Sequence, residues 1–220
     1  MVALDSTEDM NRLADSGVVA VMRGADADTV IDVAQALNDG GVTAYEITAD
    51  NPDAMDLIRE VSASFTEEEA IVGAGTVLDG ETARTAIANG AEFVVGPNYS
   101  RDVVETCNRY GTLVAPGILT PTEAVNAYEA GADMVKVFPA SVMGPDHLSS
   151  LKGPLPQIPL MPTGGIDIDN VADYIEAGAV VVGAGSAIMD ADAIEAGDFD
   201  SITETAREFT RVIEDAREST

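Results

Sequence analysis

The 220-residue chain is predicted to fold as one α/β domain over residues 1–220: a (β/α)8 TIM barrel with an N-terminal helix capping the barrel bottom. Three observations predict it. Eight short, nearly continuous runs of apolar and β-branched residues recur, as parallel strands covered on both faces require. Their starts, from Val18 to Ala179, fall 23 residues apart on average, room for one strand, one helix and two lean loops. No Pro/Ser-rich linker or low-complexity tract divides the chain. Eight regular units with no long crossover favour closure over a doubly wound open sheet.

The strands are read at Val18–Arg23, Val42–Thr48, Ala70–Gly75, Glu92–Gly96, Thr112–Pro116, Met134–Pro139, Pro159–Thr163 and Ala179–Gly183. A first helix is read at Ser6–Asp15, and the last, Asp200–Glu218, is the eighth barrel helix. Intervening helices end at Asn38-Asp39-Gly40-Gly41, Asn89-Gly90, Ala130-Gly131 and Ala177-Gly178, where glycine can take a left-handed cap.

Apolar residues make up 46% of the chain, enough for a packed core. Trp is absent and Phe and Tyr number five each, so that core must be aliphatic. The net charge of −28 repels nucleic acid and acidic membranes. With only two lysines, Lys136 and Lys152, the surface reads as adapted to a salt-rich cytosol. Cys107 and His147 each stand alone, which excludes an intrachain disulfide and argues against a zinc site or a Ser-His or Cys-His pair. No cofactor and no metal are expected. The start, MVALDSTEDMNR, lacks the basic and apolar regions of a secretory signal, and no run is long enough to span a membrane. The expectation is a cytoplasmic protein with a small-molecule substrate.

In such barrels the chemistry sits at the C-terminal strand ends. Lys136 lies mid-strand in Met134-Val135-Lys136-Val137-Phe138-Pro139 and faces opposite to Val135 and Val137. Loss of hydration disfavours an ammonium against the neutral amine, and a neutral amine attacks carbonyls to form a Schiff base. The alternative is a salt-bridged structural lysine. Glu46, in Tyr45-Glu46-Ile47-Thr48, can face the same mouth and carry protons beside Lys136, or act only as its ion-pair partner. Two glycine-rich turns, Thr163-Gly164-Gly165-Ile166 and Gly183-Ala184-Gly185-Ser186, follow strands seven and eight, where barrels often bind phosphate through bare backbone N–H groups. Gly73-Ala74-Gly75-Thr76 and Gly183-Ala184-Gly185-Ser186 both lack the third glycine of a dinucleotide fingerprint. Thr76 and Thr163 offer hydroxyls to a carboxylate or carbonyl oxygen, or serve as helix N-caps. Arg23, a cation at a strand end, pairs with a substrate carboxylate or with a structural partner. Lys152 ends a helix, is expected in solvent and is given no chemistry.

These residues resemble the 2-keto-3-deoxy-6-phosphogluconate (KDPG) aldolase / 4-hydroxy-2-oxoglutarate (KHG) aldolase family over nearly the whole chain from Val18. The specific pieces are Tyr45-Glu46-Ile47-Thr48, Val72-Gly73-Ala74-Gly75-Thr76-Val77, Lys136-Val137-Phe138-Pro139-Ala140, Pro162-Thr163-Gly164-Gly165-Ile166, Gly183-Ala184-Gly185-Ser186 and Glu195-Ala196-Gly197-Asp198-Phe199. The resemblance implies a metal-free class I aldolase of the Entner–Doudoroff route. It would cleave KDPG to pyruvate and glyceraldehyde 3-phosphate and form a homotrimer. It implies that Lys136 forms the imine and Glu46 is the acid/base. Thr76, Pro97, Phe138 and Thr163 would line the pyruvyl pocket, and Gly164, Gly165 and Ser186 would hold the phosphate. The galactonate epimer and KHG remain alternative substrates, and a non-covalent phosphosugar isomerase or epimerase is the rival reaction. Some members carry Arg four residues after the catalytic Glu; this chain has Asp50 there, which leaves Arg23 as the carboxylate partner.

Salt screens repulsion among like charges. The thermal midpoint is therefore expected to rise steeply from dilute buffer to molar potassium chloride. Equal midpoints at both salt levels would remove the case for salt adaptation.

Overall fold

A computed structural model describes residues 6–219; Met1–Asp5 and Thr220 of the single-domain assignment lie outside it. The chain alternates as α1 (Ser6–Ser16), β1 (Val18–Met22), α2 (Val30–Asp39), β2 (Ala44–Thr48), α3 (Ala54–Ser64), β3 (Ile71–Gly75), α4 (Gly80–Ala88), β4 (Phe93–Val95) and α5 (Arg101–Tyr110). It continues through β5 (Leu113–Ala115), β6 (Gly117–Ile118), α6 (Pro121–Glu129), β7 (Val135–Val137), α7 (Ala140–Met143), α8 (Pro145–Lys152), β8 (Leu160–Pro162), α9 (Val171–Glu176), β9 (Val182–Ala184), α10 (Ala191–Ala196) and α11 (Phe199–Glu218).

All strand pairs are parallel. One sheet runs β5-β4-β3-β2-β1-β9 and a second runs β6-β7-β8. A parallel bridge from Thr163 to Gly183 links the end of β8 to β9, so the strands form a curled parallel sheet with helices outside.

All eight strands differ from the sequence expectation by one to three residues at one end or both, and two of the differences have a clear physical cause. The fifth run, read to end at Pro116, resumes beyond it as β6, because Pro116 has no N–H to give to a ladder. Before it, β5 pairs with β4; after it, Gly117 and Ile118 pair with Lys136 and Val137 of β7. The Pro116 carbonyl still accepts from the Lys136 N–H at 2.9 Å. The last strand starts at Val182 rather than Ala179, because the Ala179 N–H closes the end of α9 on the Tyr174 carbonyl. The expected helix stops hold: Gly41, Gly90, Gly131 and Gly178 have φ between 91° and 104°. At α6 a capping box joins Thr120 to Glu123, with proline at the first turn.

Strand alternation sorts the core into two sets. Residues such as Val18, Tyr45, Ile47, Val72 and Val94 face the helices. Val19, Ala44, Ile71, Phe93, Val95, Leu113, Ala115, Met134, Met161 and Val181 face inward and pack together. Leu13 of α1 joins this inner set at 2% exposure, so α1 plugs the N-terminal end of the strands. Arg12 fastens the plug: it donates to the Ala70 carbonyl and to Glu92, both at 2.6 Å, and to Asp9 at 2.9 Å. Cys107 is buried, and burial pushes its thiol up to about 12, which leaves it a packing residue. His147 holds the Leu119 carbonyl at 2.8 Å.

Leu13→Ala removes the apolar seal and leaves a void that the rigid strand ends cannot fill. Denaturant unfolding is expected to show a loss of about 2–5 kcal/mol. A loss well under that range would mean that α1 is not part of the inner core.

Candidate active site

The inner apolar cluster forms a floor, and the polar residues stand above it toward the C-terminal strand ends. On β2, Ala44 belongs to the floor, and alternation places Glu46 and then Thr48 on the same inward face. Met134, just before β7, is in the floor, and Lys136 of β7 lies two residues beyond. The two charged side chains meet there. Lys136 Nζ lies 3.7 Å from Glu46 Oε1, with side-chain exposures of 7% and 0%. That spacing attracts but is too long for a hydrogen bond, and both Glu46 oxygens lack a hydrogen-bond partner among the described residues. Phe138, half-buried, places its ring 5.2 Å from the ammonium.

Bare backbone makes the room. Gly75 is the register partner of Thr48 on β3, and a methyl at Gly75 would overlap the Glu46 carboxyl. The Glu46 side chain therefore leans over Gly75, toward the mouth. A methyl at Gly183 would likewise overlap the Thr163 side chain. Thr163 is 5% exposed and its hydroxyl has no partner. Glu46 Oε1 and Oε2, Thr48 Oγ1 and Thr163 Oγ1 are the buried unpartnered side-chain polar atoms among the described residues. Buried oxygens of this kind are costly unless water or a ligand meets them.

The remaining sequence-picked residues form the rim. Arg23 is exposed; its guanidinium donates to Asp50 and, at 3.1 Å, to Thr76 Oγ1. Thr76 is the one non-glycine residue with positive φ among the described residues, at 58°. That conformation is unfavourable for a β-branched side chain and concentrates at functional sites. Neither Thr76 nor Thr163 is a helix N-cap: Asp79 caps α4 and Asn170 precedes α9. Pro97 is half-buried after β4, pressed against Gly117 so closely that a methyl at Gly117 would overlap its backbone. Gly164 and Gly165 have φ of 95° and 75°; a methyl at Gly165 would come 2.5 Å from Ser141. Gly185 and the exposed Ser186 follow β9, in a turn closed by Ile188 and Met189 N–H groups on the Gly185 carbonyl. Gly185 has free space for a side chain, so packing does not demand glycine there.

Lys152 corrects the sequence expectation. It is not simply in solvent: its Nζ donates to the Ile158 carbonyl at 3.1 Å and its stem covers Gly178. Desolvation lowers its pKa. The sequence alone gives Thr48 no role. Its signal was its spacing, two residues beyond Glu46 on one face of a strand. Among the described residues no group of three or more His, Cys, Asp or Glu is placed to hold a metal ion.

The comparisons with known proteins fit this geometry. The aldolase family described as KDPG and KHG aldolase matches residues 10–205. The chain belongs to that family. A 2-dehydro-3-deoxy-phosphogluconate aldolase of Treponema pallidum is 34% identical over 207 residues, 94% of this chain and 96% of the relative. A 2-dehydro-3-deoxy-6-phosphogalactonate aldolase of Escherichia coli is also 34% identical, over 92% of this chain and 95% of the relative. Among solved structures, a KDPG aldolase from Legionella pneumophila superposes with TM-score 0.83 and 28% identity, covering 90% of this chain and 96% of that one. It holds pyruvate captured at low pH as a covalent carbinolamine intermediate. Membership makes the chain a carbon–carbon lyase of the aldolase type.

Gly75→Ala isolates the steric claim, since Gly75 lies in a regular strand and its φ is not among the positive ones. The added methyl must push the Glu46 carboxyl aside. Aldol cleavage is expected to fall by about 10²-fold or more, while the circular dichroism spectrum stays that of the parent. Cleavage at the parental rate would show that the Glu46 position seen here is not the working one.

Proposed function

We propose that the chain is a class I aldolase that cleaves KDPG reversibly to pyruvate and glyceraldehyde 3-phosphate, with no metal and no cofactor. The observation that carries the proposal is the buried Lys136–Glu46 pair, 3.7 Å apart above an apolar floor. The two sheets act as one (β/α)8 barrel, in which β5 and β6 count as a single strand bent at Pro116. The Thr163–Gly183 bridge supports closure between β8 and β9.

Lys136 passes a proton to Glu46, the amine so freed attacks the C2 ketone, and Glu46 returns that proton to the carbinolamine hydroxyl, which leaves as water and gives an iminium. That cation accepts the electron pair of the breaking C3–C4 bond as Glu46 takes the C4 hydroxyl proton. Glyceraldehyde 3-phosphate departs and the enamine of pyruvate remains. Glu46 then gives its proton to C3, and water hydrolyses the resulting iminium, which releases pyruvate and restores the Lys136 ammonium. Thr163, Phe138 and Pro97 shape the pyruvyl pocket. Arg23 and Thr76 take the substrate carboxylate, and Asp50 holds one side of the same guanidinium. Gly164, Gly165, Gly185 and Ser186 receive the phosphate through their backbone N–H groups and the Ser186 hydroxyl. The phosphate and the carboxylate are the only strong anions such a substrate presents, which suits a rim that carries the exposed Arg23.

The enzyme works as a homotrimer in the cytoplasm. Support for an assembly comes from a protein cage designed by fusing symmetric oligomeric domains, which superposes with TM-score 0.85 and 31% identity over 92% of this chain and 74% of that one. No helix among the described residues is long and apolar enough to cross a membrane.

Pyruvate release from KDPG, its galactonate epimer and KHG tests the substrate assignment. KDPG is expected to give the highest kcat/KM; a higher value for either other substrate would reassign the enzyme within its family. In the same assay Glu46→Gln should slow cleavage of KDPG by about 10²-fold or more. A normal rate would remove Glu46 as the proton carrier.

A further inference from the structure

We propose that Thr48 is a specificity-determining residue of this site, and that its hydroxyl binds the C5 hydroxyl of the substrate, in the half that leaves as the aldehyde. The inference rests on the aldolase reading above and deepens it.

Thr48 ends β2 on the inward face, two residues beyond Glu46 and in register with Gly75. It is fully buried, yet its hydroxyl has no hydrogen-bond partner. A buried threonine usually bonds a nearby carbonyl, and an unmet one loses the hydration of its hydroxyl for nothing. Valine would fill the same volume without that cost, so the hydroxyl points to a partner that arrives from outside. Its surroundings indicate which. The Glu46 side chain leans over Gly75, which brings its carboxyl into the layer of Thr48. The two unpartnered groups thus stand side by side on one strand, with Thr48 on the rim side.

The substrate must cross this layer. C2 is fixed at Lys136 near the floor, the C4 hydroxyl meets Glu46, and the phosphate lies at the rim loops after β8 and β9. Because the Glu46 carboxyl leans into the layer of Thr48, the two polar groups are neighbours, as are the hydroxyls on the adjacent carbons C4 and C5. The hydroxyl next beyond the one Glu46 deprotonates is the C5 hydroxyl, and the polar group next beyond Glu46 on the same face is Thr48. A site that hydrogen-bonds a substrate hydroxyl discriminates strongly against an analogue without it, because its own buried group is then left unpaired.

The test uses Thr48→Val and Thr48→Ser with two readouts. One is kcat/KM for KDPG cleavage. The other is exchange of the pyruvate methyl protons in deuterium oxide, which needs Lys136 and Glu46 but no aldehyde half. Thr48→Val is expected to lower kcat/KM about tenfold and to leave exchange at the parental rate, and Thr48→Ser should recover cleavage to within about threefold of parental. Exchange that falls in parallel with cleavage would overturn the proposal, because Thr48 would then act on Glu46 or on the fold. Unchanged cleavage by Thr48→Val would overturn it too. A parental enzyme that neither exchanges pyruvate protons nor cleaves KDPG would instead bring down the aldolase reading, and this inference with it.

Discussion

The attraction between one ammonium and one carboxylate, both cut off from bulk water, is the constraint on which the rest of the site depends. Neither Lys136 nor Glu46 has another charged side chain within ion-pair distance among the described residues. Deleting one would strand the other in a poorly hydrated space, a change that typically costs about 3–5 kcal/mol for a buried pair. The pair therefore fixes its own geometry. It also dictates its neighbours: Gly75 is bare because Glu46 lies across it, Gly183 is bare because Thr163 fills that corner, and the floor below is apolar. A hydrophobic pair of similar volume would be easier to bury. Two charges here are explained by chemistry rather than by stability.

The fold imposes a division of labour along each strand. The inner face carries packing residues at the N-terminal ends and reactive groups at the C-terminal ends. On β2 this reads as Ala44, Glu46, Thr48 in succession, and at β7 as Met134, just before the strand, followed by Lys136. The α1 plug and the Arg12 bonds close the packing end, so a substrate must enter from the other. That end also holds Arg23, Thr76 and the glycine loops. Polar groups left unmet by the protein are concentrated where a polar substrate would meet them.

Much of this was legible in the sequence because period and residue type coincide. A lysine in the middle of a β-branched run, in a chain with one other lysine, stands out, and so does a glutamate in such a run. The spacing of the eight runs and the glycine stops gave the order of elements with small boundary errors. What escaped did so for physical reasons. Pro116 splits a strand because it lacks an N–H, yet Pro at a strand end reads as an ordinary boundary. Ala179 and Val180 look like strand residues, but the N–H of Ala179 is spent on closing α9. Thr48 is the commonest kind of strand residue, and only burial without a partner distinguishes it. The Lys152 contact with Ile158 joins a helix end to the loop beyond it, which no local pattern announces. The Arg23–Asp50–Thr76 contacts join three strand ends, and the strained φ of Thr76 is invisible in its residue type.

The central claim is a covalent bond between Lys136 and a keto acid. With only two lysines in the chain, peptide mapping after borohydride reduction in the presence of pyruvate reads it without ambiguity. The account predicts one reduced pyruvyl adduct, on the peptide that contains Lys136. An unmodified chain, or an adduct confined to Lys152, would contradict it.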